Sequence, residues 1–169
     1  KDHSTLYAMA TKEDSSRQDV YAIDLENGAM RRLTTEDGFY SGAAVSKDGR
    51  TVLANFVRYG QPRELSLTHK GEMSMLTDSH AEAAKTYTAA RPEFVTYQNR
   101  HGQDIRAYVF KPEGWQVTDE RPALIYVYGG PLGTRKNVVE GSYNSDGYLF
   151  GWYMAQKHGY VTAVIDPRG

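Results

Sequence analysis

Short runs of alternating apolar and polar residues, broken every few positions by turn chemistry, fill the first half of the chain. Residues 6–10, 20–25 and 30–33 read as strands, and Glu26-Asn27-Gly28 supplies the positive-φ position that a tight hairpin needs. The pattern then restarts. Residues 42–46, 51–57, 64–68 and 73–76 follow as strands, separated by Lys47-Asp48-Gly49, Tyr59-Gly60-Gln61-Pro62 and Lys70-Gly71. An internal repeat runs through both sets: Leu25-Glu26-Asn27-Gly28 leads to Leu33-Thr34, and Leu67-Thr68-His69-Lys70-Gly71 leads to Leu76-Thr77. The two Leu-Thr pairs are 43 residues apart, and a four-stranded propeller blade repeats at about 40–45 residues. The stretch therefore predicts one full blade and most of the blade before it. Two blades cannot close a ring, and an open propeller leaves strand edges and sheet faces uncovered.

From Arg91 the texture changes. Residues 93–99 and 104–111 alternate around Arg100-His101-Gly102, a hairpin signal. After Pro112-Glu113-Gly114-Trp115 and a polar loop, residues 123–128 form a continuous apolar run ending in Gly129-Gly130, which predicts a strand buried on both faces. Residues 148–158 read as a helix with Leu149, Trp152, Tyr153 and Gln156 along its apolar stripe and Gly159 at its C-terminal cap. A further strand over 160–165 ends at Asp166-Pro167-Arg168-Gly169. Strand, helix and strand over this length make a βαβ unit of a doubly wound sheet. The expectation is a mixed fold, with antiparallel β-propeller blades over residues 1–90 and the beginning of a mainly parallel α/β sheet over 91–169.

Blades running straight into a hairpin and a parallel sheet form an uncommon order, and the motifs in the second half narrow it. Val95-Thr96-Tyr97-Gln98-Asn99 with His101-Gly102, Lys111-Pro112-Glu113-Gly114, Arg121-Pro122-Ala123-Leu124-Ile125, Tyr128-Gly129-Gly130-Pro131 and Asp166-Pro167-Arg168-Gly169 together resemble the opening of the α/β-hydrolase domain in the prolyl oligopeptidase family of serine peptidases. The tyrosine before Gly-Gly-Pro is similar to the dipeptidyl peptidase IV branch, where the acylaminoacyl peptidase branch usually shows histidine. The resemblance implies that the propeller narrows access to the active site and that the hydrolase domain is cut before the nucleophile elbow. It also implies a parent protein that releases N-terminal dipeptides with proline or alanine in the penultimate position, takes peptides as substrates, needs no cofactor, and has a periplasmic or secreted address. Two alternatives stand beside it: an acylaminoacyl peptidase or oligopeptidase of the same family, and a non-catalytic propeller scaffold that binds protein partners.

Tyr128 is the candidate site residue. By residue type it is either a core tyrosine at a strand end or a hydrogen-bond donor, and the resemblance favours the donor. Attack on an amide carbonyl builds negative charge on oxygen, so a donor fixed there beforehand stabilises the transition state more than the substrate. A phenol with a reference pKa of about 10 stays a neutral donor near pH 7. In the family this tyrosine pairs with the backbone N–H that follows the nucleophilic serine. Tyr126 points to the same side by strand alternation and reads as packing. For Asp166 the resemblance implies a structural residue at a strand end, not a triad acid.

A hydrolase of this fold holds its serine on a Gly-x-Ser-x-Gly elbow followed by Asp and then His. The 169 residues contain no such pentapeptide, and the resemblance implies that nucleophile, acid and base all lie beyond Gly169. The chain alone is therefore expected to be inactive, weakly stable, and associated with the rest of its parent or with an oligomer.

Composition narrows the remaining chemistry. With 40% hydrophobic residues the chain can bury a sizeable core. Twenty basic and 21 acidic residues give a net charge of −1 with no footprint for nucleic acid; the densest basic spot, Arg31-Arg32, reads as a solvated strand end. Cysteine is absent, which excludes disulfides, thiolate zinc sites and a catalytic thiol. His3, His69, His80, His101 and His158 show no metal-ligand spacing. Gly129-Gly130-Pro131-Leu132-Gly133 has neither GxGxxG spacing nor a Walker lysine. Tyr128 apart, Trp115, Trp152 and the rest of the 13 tyrosines read as packing and not as a platform for stacking sugars or bases. The run at 123–128 is too short to span a membrane, and Lys1 begins a polar segment instead of a signal peptide.

Overall fold

Antiparallel pairing organises the first half of the chain into two sheets. The computed structural model describes residues 4–14, 16–58, 61–79, 82, 92–127 and 146–166, and the chain divides into two units, Lys1–Arg58 with Arg63–Glu82 and Tyr59–Pro62 with Ala83–Gly169. In the first unit, β1 (Thr5–Ala10), β2 (Asp19–Asp24) and β3 (Met30–Arg32) form a three-stranded sheet in that order. Strands β4 (Phe39–Val45), β5 (Thr51–Val57), β6 (Glu64–His69) and β7 (Glu72–Met75) form a four-stranded one. Three strands and then four is the succession of blades expected from the 43-residue repeat.

Local chemistry sets these strands. Lys70 and Gly71, at φ of +50° and +89°, form a two-residue turn of type I′ geometry that leaves His69 opposite Glu72. Strand β4 begins three residues earlier than alternation predicts. The register with β5 shifts between Ser41 and Ala44, where Gly42 sits at φ +58°; this bulge breaks the period-2 pattern and hides Phe39 and Tyr40 from a reading by alternation. The repeated Leu-Thr pair has a direct role. Leu33 N–H donates to Val20 C=O at 2.8 Å and Leu76 N–H to Leu65 C=O at 2.7 Å, which extends the pairing of the outermost strand in each sheet.

The core of this unit joins the two sheets face to face. Val20, Ala22 and Leu33 from the first meet Tyr40, Val52, Ala54 and Phe56 from the second, with the Tyr40 and Phe56 rings 4.7 Å apart. Each large apolar side chain buried here contributes about 1.5–3 kcal/mol.

The second unit is a mixed sheet in the order β10-β11-β9-β8. Strands β8 (Glu93–Gln98) and β9 (Asp104–Phe110) form the expected hairpin, β9 runs antiparallel to β11 (Val161–Ile165), and β10 (Ala123–Val127) runs parallel to β11. Between the parallel strands lies helix α1 (Asp146–His158), followed by Gly159 at φ +71°. Phe94, Tyr108, Val164 and Tyr126 stand in register across the sheet on one face, and α1 packs there through Tyr148 and Ala155 against Tyr108, Phe110 and Val164.

Two expectations for this unit are corrected. The helix meets the sheet through Tyr148, Gly151, Trp152 and Ala155, while Leu149 and Tyr153 face outward at 37% and 47% exposure. Glycine carries no hydrophobic weight in a periodicity reading, yet Gly147 and Gly151 let the helix approach. A Cβ on Gly147 would meet the Tyr126 ring at 3.1 Å, and one on Gly151 would meet Thr162 Oγ1 at 3.2 Å. Strand β10 is also not buried on both faces, because it lies at the edge of the described sheet and α1 covers only the side bearing Tyr126. Ile125 and Val127 point the other way and are 62% and 55% exposed.

Candidate functional site

The parallel strands β10 and β11 end side by side, with Val127 paired to Ile165. In α/β sheets, ligands bind beyond the carboxyl ends of such strands, where side chains leave the sheet with free space around them. The pair is fixed at both ends: Val161 N–H donates to Pro122 C=O at 3.0 Å, and Asp166 N–H reaches Arg106 C=O at 3.5 Å. Arg106 in turn donates through Nη1 to Thr96 Oγ1 at 2.8 Å. Beneath this edge Tyr126 packs into the core with Trp152, Tyr148 and Val164, the packing role read from the sequence. Asp166 follows Ile165 half-buried. Tyr128, the candidate oxyanion donor, lies outside the described residues, as do Gly129, Gly130, Pro131, Pro167, Arg168 and Gly169.

Three of the described serine hydroxyls have structural partners. Ser16 donates to Asp14 and Ser46 to Asp48, each at 2.6 Å, and Ser79 donates to Glu64 at 2.8 Å. Thr51 Oγ1 lies 2.8 Å from His69 Nδ1 on the exposed surface of β5 and β6. This is a cross-strand pair. Among the described residues no carboxylate hydrogen-bonds His69, so the imidazole lacks the orienting acid that a general base requires. No group of three or more His, Asp or Glu side chains is arranged to hold a metal ion among the described residues. No helix among them is long and apolar enough to cross a membrane.

The basic pair Arg31-Arg32 splits into two environments, which corrects its reading as a solvated strand end. Arg32 Nε lies 2.9 Å from Asp19 Oδ1 and Arg17 Nε 3.2 Å from Asp19 Oδ2, with Asp19 only 1% exposed. Arg17 also reaches Glu13 and Asp37, each at 2.5 Å. Burial opposes the charge on Arg17, yet the carboxylates of Asp19, Asp37 and Glu13 raise its pKa above the ordinary value. Burial raises the pKa of Tyr21 as well, and Asp19 adds to it. These charges pair with one another around the buried Asp19. Arg31 is exposed instead and shares a cleft with Arg50 and Lys70. Sequence reasoning did not join these three, since they come from separate strands and turns. One signal was available: the turns after β4 and β6 of an antiparallel blade must lie at the same end, and Arg50 and Lys70 occupy those turns.

Comparison with known proteins bears out the resemblance read from the sequence. No protein-family model matches the chain. Over 174 residues and 99% of its length it is 26% identical to a probable dipeptidyl-aminopeptidase B of Sclerotinia sclerotiorum, and 24% identical to one of Botryotinia fuckeliana over the same share. Each alignment covers 18% of the relative, so the chain spans about a fifth of the length of the curated relatives it matches. It also superposes on a crystal structure of Porphyromonas gingivalis dipeptidyl peptidase 4 with a TM-score of 0.73 and 23% identity, over 98% of this chain and 23% of that one. The fold is therefore shared with that peptidase, and the chain is dipeptidyl-peptidase-like in sequence.

Proposed function

We propose that the chain is part of a serine exopeptidase of the dipeptidyl peptidase IV type, which removes N-terminal dipeptides of the Xaa-Pro or Xaa-Ala kind from peptides. The observation that carries this reading is the succession of two propeller-type sheets and a hairpin-led mixed sheet in one chain, superposable over 98% of its length on a dipeptidyl peptidase. In this reading residues 1–90 are the last blades of a propeller and residues 91–169 open an α/β-hydrolase domain.

The chemistry assigned to the chain is confined to one group. Tyr128 follows Val127, the last residue of β10, at the carboxyl end of a parallel strand where such sheets place their reacting groups. Its phenol is the oxyanion donor: it gives a hydrogen bond to the carbonyl oxygen as that oxygen gains charge, and it keeps its own proton. Nucleophile, acid and base are contributed by the parent protein, because no Gly-x-Ser-x-Gly elbow occurs in these residues and a donor without a nucleophile has no covalent step to assist. The exposed side of β10 at Ile125 and Val127 is a surface for the rest of the parent or an associated copy to cover.

A full-length protein separates this reading from its competitors. It is expected to hydrolyse a Gly-Pro chromogenic substrate in preference to the N-acetylated counterpart and to react with a fluorophosphonate serine probe; a scaffold does neither, and an acylaminoacyl peptidase reverses the preference. The 169-residue chain is expected to show no turnover and no labelling. A labelled serine within it overturns the account.

A further inference from the structure

At the end of the four-stranded sheet where the turns after β4 and β6 lie, a cleft of about 470 Å³ opens beside β3. Small-molecule sites commonly enclose about 300–1,000 Å³. The cleft is lined by Arg31, Arg32, Arg50 and Lys70 against a single carboxylate, Asp48. The chain as a whole carries 20 basic and 21 acidic residues, so four cations around one acid are a local concentration and not the average surface.

Two of these five groups are already committed. Arg32 is bound to the buried Asp19. Asp48 closes its own turn, accepting the Ser46 hydroxyl at 2.6 Å and the Arg50 N–H at 3.1 Å. The side chains of Arg31, Arg50 and Lys70 form no ion pair among the described residues. Lys70 N–H donates to Arg50 C=O at 2.9 Å, which places two basic residues opposite each other at the end of β5 and β6. Like charges directly opposite are mildly destabilising, and a bound anion would offset that.

The backbone at Lys70 adds an independent observation. It is the non-glycine residue at positive φ among the described residues, in a turn where Asn-Gly fits best and a long side chain bears strain. Local folding therefore does not select lysine at this position.

We propose that this cleft binds a small multivalent oxyanion of the phosphate-ester or sulfate class, gripped by Arg31 from the first sheet and by Arg50 and Lys70 from the second. The two guanidinium groups supply planar, bidentate donors to tetrahedral oxyanions, and the ammonium supplies a point charge. Thr35 Oγ1 donates to Gly71 C=O at 3.0 Å, which ties the two sheets together at the edge of the cleft and holds the cations from each within reach of one ligand. The site stands on the first unit alone and does not depend on the peptidase reading.

The test is calorimetric titration of the full-length protein with inorganic pyrophosphate at low ionic strength, with inorganic sulfate as a second arm. Saturable binding of either anion, weakening as salt is added, is expected. Arg31→Gln and Arg50→Gln should each weaken it by about tenfold or more, and Asp48→Asn should not weaken it. Lys70→Asn is the discriminating variant: it should raise the thermal midpoint of the anion-free protein while losing about tenfold in anion affinity, a split that a purely structural lysine does not produce. Hydrolysis of a Gly-Pro substrate should be unchanged in all four variants, so failure of this proposal and failure of the peptidase reading are separately visible. Undiminished pyrophosphate affinity in the Arg31→Gln and Arg50→Gln proteins, or no saturable binding of either anion at millimolar concentration, overturns it.

Discussion

The Thr34 hydroxyl donates to the buried carboxylate of Asp19 at 2.9 Å and accepts the Val20 N–H at 3.2 Å. One blade later Thr77 repeats the arrangement, donating to Glu64 and accepting the Leu65 N–H at 2.9 Å. Each threonine follows the outermost strand of its sheet and satisfies both an acid at the first position of the neighbouring strand and the backbone N–H next to it. A buried carboxylate is tolerated only with donors of this kind.

Replacing either threonine with valine keeps the shape and removes both bonds. Thr34→Val leaves the Val20 N–H and one oxygen of Asp19 without these partners, and the expected cost is about 1–3 kcal/mol. Amide hydrogen exchange read at Val20 and Leu65 checks it: Thr34→Val should speed exchange at Val20 and Thr77→Val at Leu65, each leaving the other blade unaffected. Equal effects at both amides would show that the threonines do not act blade by blade.

This pair also shows what the sequence could disclose. The Leu-Thr repeat was visible as a period of 43 residues, and it carried the blade count because spacing survives without knowledge of contacts. Its acids were not visible, since Asp19 and Glu64 precede their threonines by 15 and 13 residues and differ in type. In the second unit, alternation around Arg100-His101-Gly102 marked the hairpin correctly. The helix stripe was misread because Gly147 and Gly151, which lie against Tyr126 and Thr162, have no apolar side chain to count. Residues 123–128 looked doubly buried because periodicity cannot tell a central strand from one at the edge of the described sheet. Tyr128 was legible only through the motif around it.

Burial pushes the pKa of Tyr40 upward; its hydroxyl sits against Met73 Sδ at 3.3 Å with the ring wholly inside the core. The folded protein therefore favours the neutral phenol more than the unfolded chain does, where ionisation occurs near pH 10. The stabilisation is fully present below about pH 10 and is lost as the pH rises from there toward the folded value, at about 1.4 kcal/mol per pH unit. Denaturant unfolding monitored at rising pH should show stability falling above pH 10, with a shallower fall in Tyr40→Phe. An identical slope in that variant would contradict the assignment.

Thr162 Oγ1 donates to the Gly151 carbonyl at 2.9 Å in the interior, pinning α1 to β11. Gly151→Ala adds a helix-favouring residue, worth about 1 kcal/mol in an exposed helix. Its Cβ would stand 3.2 Å from that same oxygen and 3.5 Å from the Phe110 ring, and overpacking of this kind costs about 1–3 kcal/mol. Because Thr162 is β-branched and already bonded, it has little room to yield, and the net effect is expected to be destabilising. Thermal unfolding of Gly151→Ala alone and combined with Thr162→Ser tests this, the unbranched serine leaving its hydroxyl freer to rotate away from the new Cβ and so recovering part of the loss.

The phenol that follows β10 is the proposed oxyanion donor. Steady-state hydrolysis of a Gly-Pro chromogenic substrate by the full-length protein and its Tyr128→Phe variant tests it most directly. Turnover by the unaltered protein is expected, with a loss of about 10²–10³ in kcat and little change in KM for the variant, the size of effect that removing one oxyanion donor produces. Equal kcat for the two proteins, or no hydrolysis by the unaltered one, would contradict it.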